Sequence, residues 1–120
     1  MTTVNLTTKV RNINGYSVID FDGEVNGFAE SLLMDAYNQA SQNNAKVIIF
    51  NFDKLEYLNS SGIGLLVTIL IRAQRQNQRL LACGLSEHYR EIFTLTRLDE
   101  AIGIYDTETD AIASLTKEAI

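Results

Sequence analysis

Apolar and polar residues alternate at the start of the chain. Val4, Leu6, Thr8 and Val10 fall on one side and Thr3, Asn5, Thr7 and Lys9 on the other, a period of two that predicts a half-buried strand. Asn14-Gly15 supplies the positive φ angles of a tight hairpin, and Tyr16-Ser17-Val18-Ile19-Asp20-Phe21 resumes the extended pattern, so an antiparallel pair should open the fold. Asp22-Gly23-Glu24-Val25-Asn26-Gly27 ends that strand. From Phe28 the period lengthens: Phe28, Leu32, Leu33, Ala36, Tyr37 and Ala40 recur at helical spacing, with Glu30, Asp35, Gln39 and Gln42 opposite and Asn43-Asn44 as the stop. Val47-Ile48-Ile49-Phe50-Asn51-Phe52 is almost unbroken apolar, the pattern of a central strand covered on both faces.

A loop from Leu55 should lead into a second helix that starts at Asn59-Ser60-Ser61, where a side-chain oxygen can accept from the orphan N–H groups of the first turn. Ile63, Leu66, Val67, Leu70 and Ala73 share one face of this helix, and Leu65, Ile69 and Ile71 lie off it. So much apolar circumference implies either flanking helices or a protein-binding surface on its first turns. The helix turns polar and basic over Arg72-Ala73-Gln74-Arg75-Gln76-Asn77-Gln78-Arg79, where cations suit its dipole. Leu80 to Gly84 reads as a fourth strand, and Ser86 as the cap of a short helix over 87–96 with Tyr89, Ile92 and Phe93 inward. Ala101-Ile102-Gly103-Ile104-Tyr105 reads as a fifth strand. Thr107 with Asp110 three residues on opens a last helix with Ala111, Ile112 and Leu115 inward. This order predicts an α/β fold: a small mixed, mostly parallel five-stranded sheet with an opening β-hairpin, packed by about four helices.

With 120 residues, 46% of them hydrophobic, the chain has material for one core, and a single domain over 1–120 is expected. A net charge of −5 without any basic run leaves no electrostatic footprint for nucleic acid or an anionic membrane surface, so partners should be proteins. No apolar run approaches the roughly 20 residues that span a bilayer, and the first residues lack a basic n-region and an apolar h-region. A cytoplasmic location is expected. The one cysteine, Cys83, sits inside an apolar run and should be a buried thiol rather than half of a disulfide.

The orphan donors and dipole at the Asn59 helix start favour an anion, which makes a serine there a natural site for adding or removing phosphate. Both serines could equally be helix caps. Gly62 and Gly64 are either breakers after the cap or small residues that let a partner's backbone approach the serine, the reading favoured here. Nucleophilic catalysis would need a base beside Ser60, and the one histidine, His88, falls at the start of a different helix and reads as solvated. The Gly-x-Ser-x-Gly pattern is absent, and Gly62-Ile63-Gly64 lacks the third glycine of a dinucleotide loop. One His and one Cys do not make an ordinary metal site, and Asp20, Asp22 and Glu24 read as surface-loop carboxylates. No cofactor is indicated.

Asn59-Ser60-Ser61-Gly62-Ile63-Gly64, preceded by the strand from Val47 to Phe52, resembles the (Asp/Asn)-Ser-(Ser/Thr)-Gly-(Leu/Ile)-Gly signature of STAS domains, and within them the stand-alone bacterial anti-sigma factor antagonists. The resemblance extends from Gly23-Glu24 to the last helix. It implies a non-enzymatic partner-switching protein. Unphosphorylated at Ser60, such a protein binds an anti-sigma factor that is also a GHKL-type serine kinase; phosphorylated there, it lets go, and a PP2C-type phosphatase resets it. The docking surface it implies comprises Glu24, Asn26, Asn59, Ser60, Ser61, Gly62, Ile63 and Gly64, on a monomer or weak dimer. Asn26 and Asn59 stand where many members carry aspartate, which removes two negative charges beside Ser60. The alternative within the family is a constitutive scaffold or transport-accessory module in which Ser60 only starts a helix.

Overall fold

The computed structural model describes residues 5–118, so Thr3 and Val4 of the expected first strand lie outside the described residues. Five strands run in chain order across one sheet, β1 (Leu6–Ile13), β2 (Tyr16–Val25), β3 (Val47–Leu58), β4 (Arg79–Cys83) and β5 (Ile102–Tyr105). β1 and β2 form the antiparallel hairpin, turned at Gly15 with φ 87°, and the later pairs are parallel. The fold expected from the sequence is the one observed. Helices α1 (Glu30–Ala40), α2 (Ser60–Arg75) and α3 (Glu87–Leu95) make the successive crossovers, and α4 (Glu108–Glu118) closes the chain. Because the crossovers share one sense along an unreversed strand order, α1 to α3 fall on one face of the sheet and α4 on the other.

Strand alternation divides the side chains between two cores. Ile19, Phe21, Ile48, Phe50 and Phe52 meet Leu33, Tyr37, Leu66, Ile69 and Phe93 in the larger one. Its centre is aromatic: Phe52 stacks on Phe21 at 4.9 Å between centroids and presents edges to Phe50 at 5.9 Å and Phe93 at 6.3 Å. Val18, Ile49, Leu81 and Cys83 turn to the other face, under Ala111 of α4. Burial, helped by the Asp53, Glu108 and Asp20 carboxylates, pushes the Cys83 thiol up to about 12, so it stays protonated and inert. Among the described residues no helix is long and apolar enough to cross a membrane.

Several expectations need correction. Asp20, Asp22 and Glu24 are not in a surface loop: all three lie in β2, where both Asp20 oxygens take hydrogen bonds of 2.8 Å from Arg11. Arg11 also reaches Glu108 at the start of α4, and these bonds, Glu108 first, hold its guanidinium above its ordinary range. Phe28 is not on the inward face of α1; it belongs to a 3-10 turn, Gly27–Ala29, and is 62% exposed. β3 continues to Leu58 instead of giving way to a loop, because β2 runs on beside it and pairs Gly23 with Leu55, Glu24 with Tyr57 and Val25 with Leu58. Register shifts within that pairing break the period of two, which hid the strand in the sequence. Ile69 is buried in α2 while Ile63 and Val67 are half-buried, so the helix is rolled toward Gly62 relative to the face the spacing suggested.

Candidate functional site

β2 and β3 are neighbouring parallel strands that end level with one another, Val25 opposite Leu58. Each is followed by an asparagine that starts a helical turn. Asn26 Oδ1 accepts from Phe28 N–H at 2.9 Å and opens the 3-10 turn; Asn59 Oδ1 accepts from Gly62 N–H at 2.8 Å and opens α2. The Asn59 N–H donates to Val25 O at 3.3 Å, which ties the two starts together. Asparagine caps a helix as well as aspartate, so the neutral residues at these two positions preserve the backbone geometry and leave out the charge.

The cap is therefore Asn59, and the two serines follow it as the first residues of α2, both exposed. They differ in surroundings. Ser61 Cβ lies 3.3 Å from the place a Cβ on Gly27 would occupy, so Ser61 packs on the neighbouring turn. Gly62 is buried against the chain's own backbone: a Cβ there would stand 2.3 Å from Val25 O and 2.9 Å from Leu58 Cδ1. Its small size serves α2 packing on β2 rather than a partner's approach. Gly64 is exposed and has no heavy atom within 4 Å of where its Cβ would be, so the open space expected beside the serine lies there.

Glu24 is brought to the same end of the sheet, half-buried, with its carboxylate accepting from Asn5 Nδ2 at 3.0 Å and its N–H donating to Asn5 O at 2.8 Å. Ile63 is half-buried at the flank of α2. Three residues of the adjoining segments were not singled out from the sequence. Tyr57, 47% exposed, precedes the serines at the end of β3, and Phe28 stands on the turn that touches Ser61 through Gly27. Tyr89 of α3, expected only to point inward, accepts from Leu58 N–H at 3.0 Å through its hydroxyl. That bond holds the part of β3 that outruns β4, whose pairing stops at Asn51 opposite Cys83. Exposed aromatic residues before a helix start are the one signal that could have flagged Phe28 and Tyr57. His88 is exposed, its ring edge-on to Tyr89 at 4.9 Å.

The first turn of α2 contains no acidic residue and the last turn carries Arg72 and Arg75. The positive end of the helix dipole is thus uncompensated by charge in its own first turn, and a phosphoryl group on Ser60 could sit there without refolding the helix. The segments on either side of Ser60 carry the exposed Phe28, Tyr57 and Gly64 and the half-buried Ile63 and Val67, together with the exposed carboxylates Glu56 and Glu30.

A family model for the STAS domain matches residues 7–111. Among solved structures the chain is similar to an anti-sigma factor antagonist from Mycobacterium paratuberculosis, with 22% identity, 91% of this chain and 92% of that one covered, and a TM-score of 0.78. It is similar also to the Bacillus cell fate determinant SpoIIAA in its phosphorylated form, with 23% identity over 91% and 99% of the two chains and a TM-score of 0.70. A sulfate transporter family protein from Wolinella succinogenes matches with 17% identity, 81% of each chain and a TM-score of 0.70. At such identities what is shared is the fold.

Proposed function

The chain belongs to the STAS domain family, and on that premise we propose that it is an anti-sigma factor antagonist that acts by partner switching. Unphosphorylated, the surface around Ser60 binds an anti-sigma factor that is also a GHKL-type serine kinase, and that factor's other client goes free. Phosphorylation of Ser60 ends the complex, and a PP2C-type phosphatase restores the starting form. The protein is then a substrate and a ligand, not an enzyme, a single cytoplasmic module whose partner brings the ATP. Its structural neighbours, an anti-sigma factor antagonist and a phosphorylated SpoIIAA among them, support this reading.

The observation that carries it is the position of Ser60: exposed, relieved of capping by Asn59, and at a helix start with no acidic residue in its first turn. A phosphate there adds about −1.5 to −2 charges and a hydrated bulk to a contact built on Phe28, Tyr57 and Ile63, which opposes desolvation of that contact. Ser60 is favoured over Ser61 because the latter packs on Gly27. Neutral Asn26 and Asn59 lower the repulsion that an incoming triphosphate would meet.

Affinity capture from the native cell extract with wild-type, Ser60→Ala and Ser60→Glu baits tests the reading. A GHKL-type kinase should be held by the Ala bait and lost from the Glu bait, a drop of about 100-fold in affinity, equivalent to about 2.7 kcal/mol. Equal recovery on all three baits would make this a constitutive binding module whose serine only starts a helix.

A further inference from the structure

We propose that Tyr89 is the positioning residue for Ser60: its hydroxyl fixes the end of β3 and thereby the orientation in which Ser60 is presented to a phosphoryl donor. The ladder between β3 and β4 stops at Asn51 opposite Cys83, yet β3 runs on to Leu58, with Ser60 just beyond it. Two contacts take the place of the missing strand. Gly84, with φ 77°, brings the connection between β4 and α3 against β3: a Cβ there would stand 2.2 Å from Asp53 Oδ1 and 2.8 Å from Asp53 N. Past that point Lys54, Glu56 and Tyr57 are exposed, and the next tie is the 3.0 Å bond from Leu58 N–H to the Tyr89 hydroxyl oxygen.

Successive amides of a strand point to opposite sides, and the last two here are used in turn. Leu58 N–H reaches Tyr89 on one side, and Asn59 N–H reaches Val25 O at 3.3 Å on the other. The residue that caps α2 is thus held between α3 and β2, immediately before Ser60. Among the described residues Tyr89 is the one side chain of α3 that hydrogen-bonds β3. Tyr89 is itself anchored, half-buried against the larger core, with its N–H donating to Ser86 Oγ at 3.3 Å. Leu58 is 4% exposed, so removing the hydroxyl strands a buried donor, and the strand end must swing toward water to satisfy it. That moves Asn59 and Ser60 together.

The consequence for chemistry rests on the partner-switching reading. In that reaction Ser60 Oγ bonds to the γ-phosphorus of the ATP that the partner holds, the bond from that phosphorus to the bridging oxygen breaks, ADP leaves, and the hydroxyl proton passes to a base of the partner. Phosphoryl transfer depends on placement, and a displacement of about 1 Å can cost about 100-fold in rate. Binding is spread over the surface on both sides of Ser60 and is less sensitive to it.

Tyr89→Phe, which keeps the ring, tests this with ATP and the kinase recovered on the Ser60→Ala bait. The kcat for phosphorylation of Ser60 should fall about 10-fold with KM changed less than about twofold. Leu58 N–H should exchange with solvent about 10-fold faster relative to Ile49 N–H of the same strand. Thr107→Ala removes the hydroxyl that caps α4 on the opposite face of the sheet and should leave kcat unchanged, because a modest loss of stability does not slow a chain that stays folded. An unchanged kcat in Tyr89→Phe, an equal fall in Thr107→Ala, or an unchanged exchange ratio would each overturn the proposal. A wild type that the kinase does not phosphorylate on Ser60 would instead mark the failure of partner switching, and the exchange ratio would then decide alone whether Tyr89 fixes the turn.

Discussion

Phe52→Ala should destabilise the protein by about 3–5 kcal/mol, the range for removing a buried aromatic ring. Phe52 is fully buried, stacked on Phe21 at 4.9 Å and flanked by the edges of Phe50 and Phe93. Phe93 comes from α3, and β3 has already parted from β4 one residue earlier, at Asn51. The cavity would therefore open where little else holds α3 to the strand, and the ring interactions would go with the apolar area. The Tyr89 hydroxyl that holds Leu58 N–H sits on that same helix, so the loss should reach the serine turn. Urea unfolding measures the effect; a loss below about 1 kcal/mol would mean that the cluster collapses around the gap and is not the centre of the fold.

Gly62→Ala should cost about 2–4 kcal/mol, while Gly64→Ala, two residues on in the same helix, should stabilise by about 0.5–1 kcal/mol. The new methyl at Gly62 would stand 2.3 Å from Val25 O, 2.8 Å from Val25 C and 2.9 Å from Leu58 Cδ1. Two of those neighbours are backbone atoms of a central strand, so α2 must lift to make room. At Gly64 the space is open and the substitution only restores helix propensity. Opposite signs at two glycines of one motif separate a packing role from a surface role. Equal effects in thermal or denaturant unfolding would contradict the close seat of α2 on Val25.

The same pair shows what the sequence could and could not convey. Local rules sufficed wherever neighbours in the chain decide the outcome: the Asn14-Gly15 hairpin, the Asn59, Ser86 and Thr107 helix starts, and the apolar run of β3 are all where periodicity and capping place them. What was hidden depends on contacts distant in sequence. β3 reaches Leu58 only because β2 accompanies it to Val25, and Gly62 is a glycine because of Val25, not because of Ser60. The roll of α2 that buries Ile69 and exposes Ile71 follows from that seat. Asp20 reads as a loop carboxylate until Arg11 and Glu108 are brought beside it. The motif at 59–64 marks the proposed site, while the exposed Phe28 and Tyr57 and the Tyr89 hydroxyl that holds Leu58 N–H are features only the fold reveals.

The role of Ser60 is tested most directly by incubating the chain with ATP and the kinase recovered on the Ser60→Ala bait, mapping the phosphate by mass spectrometry and following whether the modified chain stays bound. Partner switching predicts one phosphate, on Ser60 and not on Ser61, and release of the phosphorylated chain. Phosphate on another residue, or a chain phosphorylated on Ser60 that stays bound as tightly as before, would contradict it.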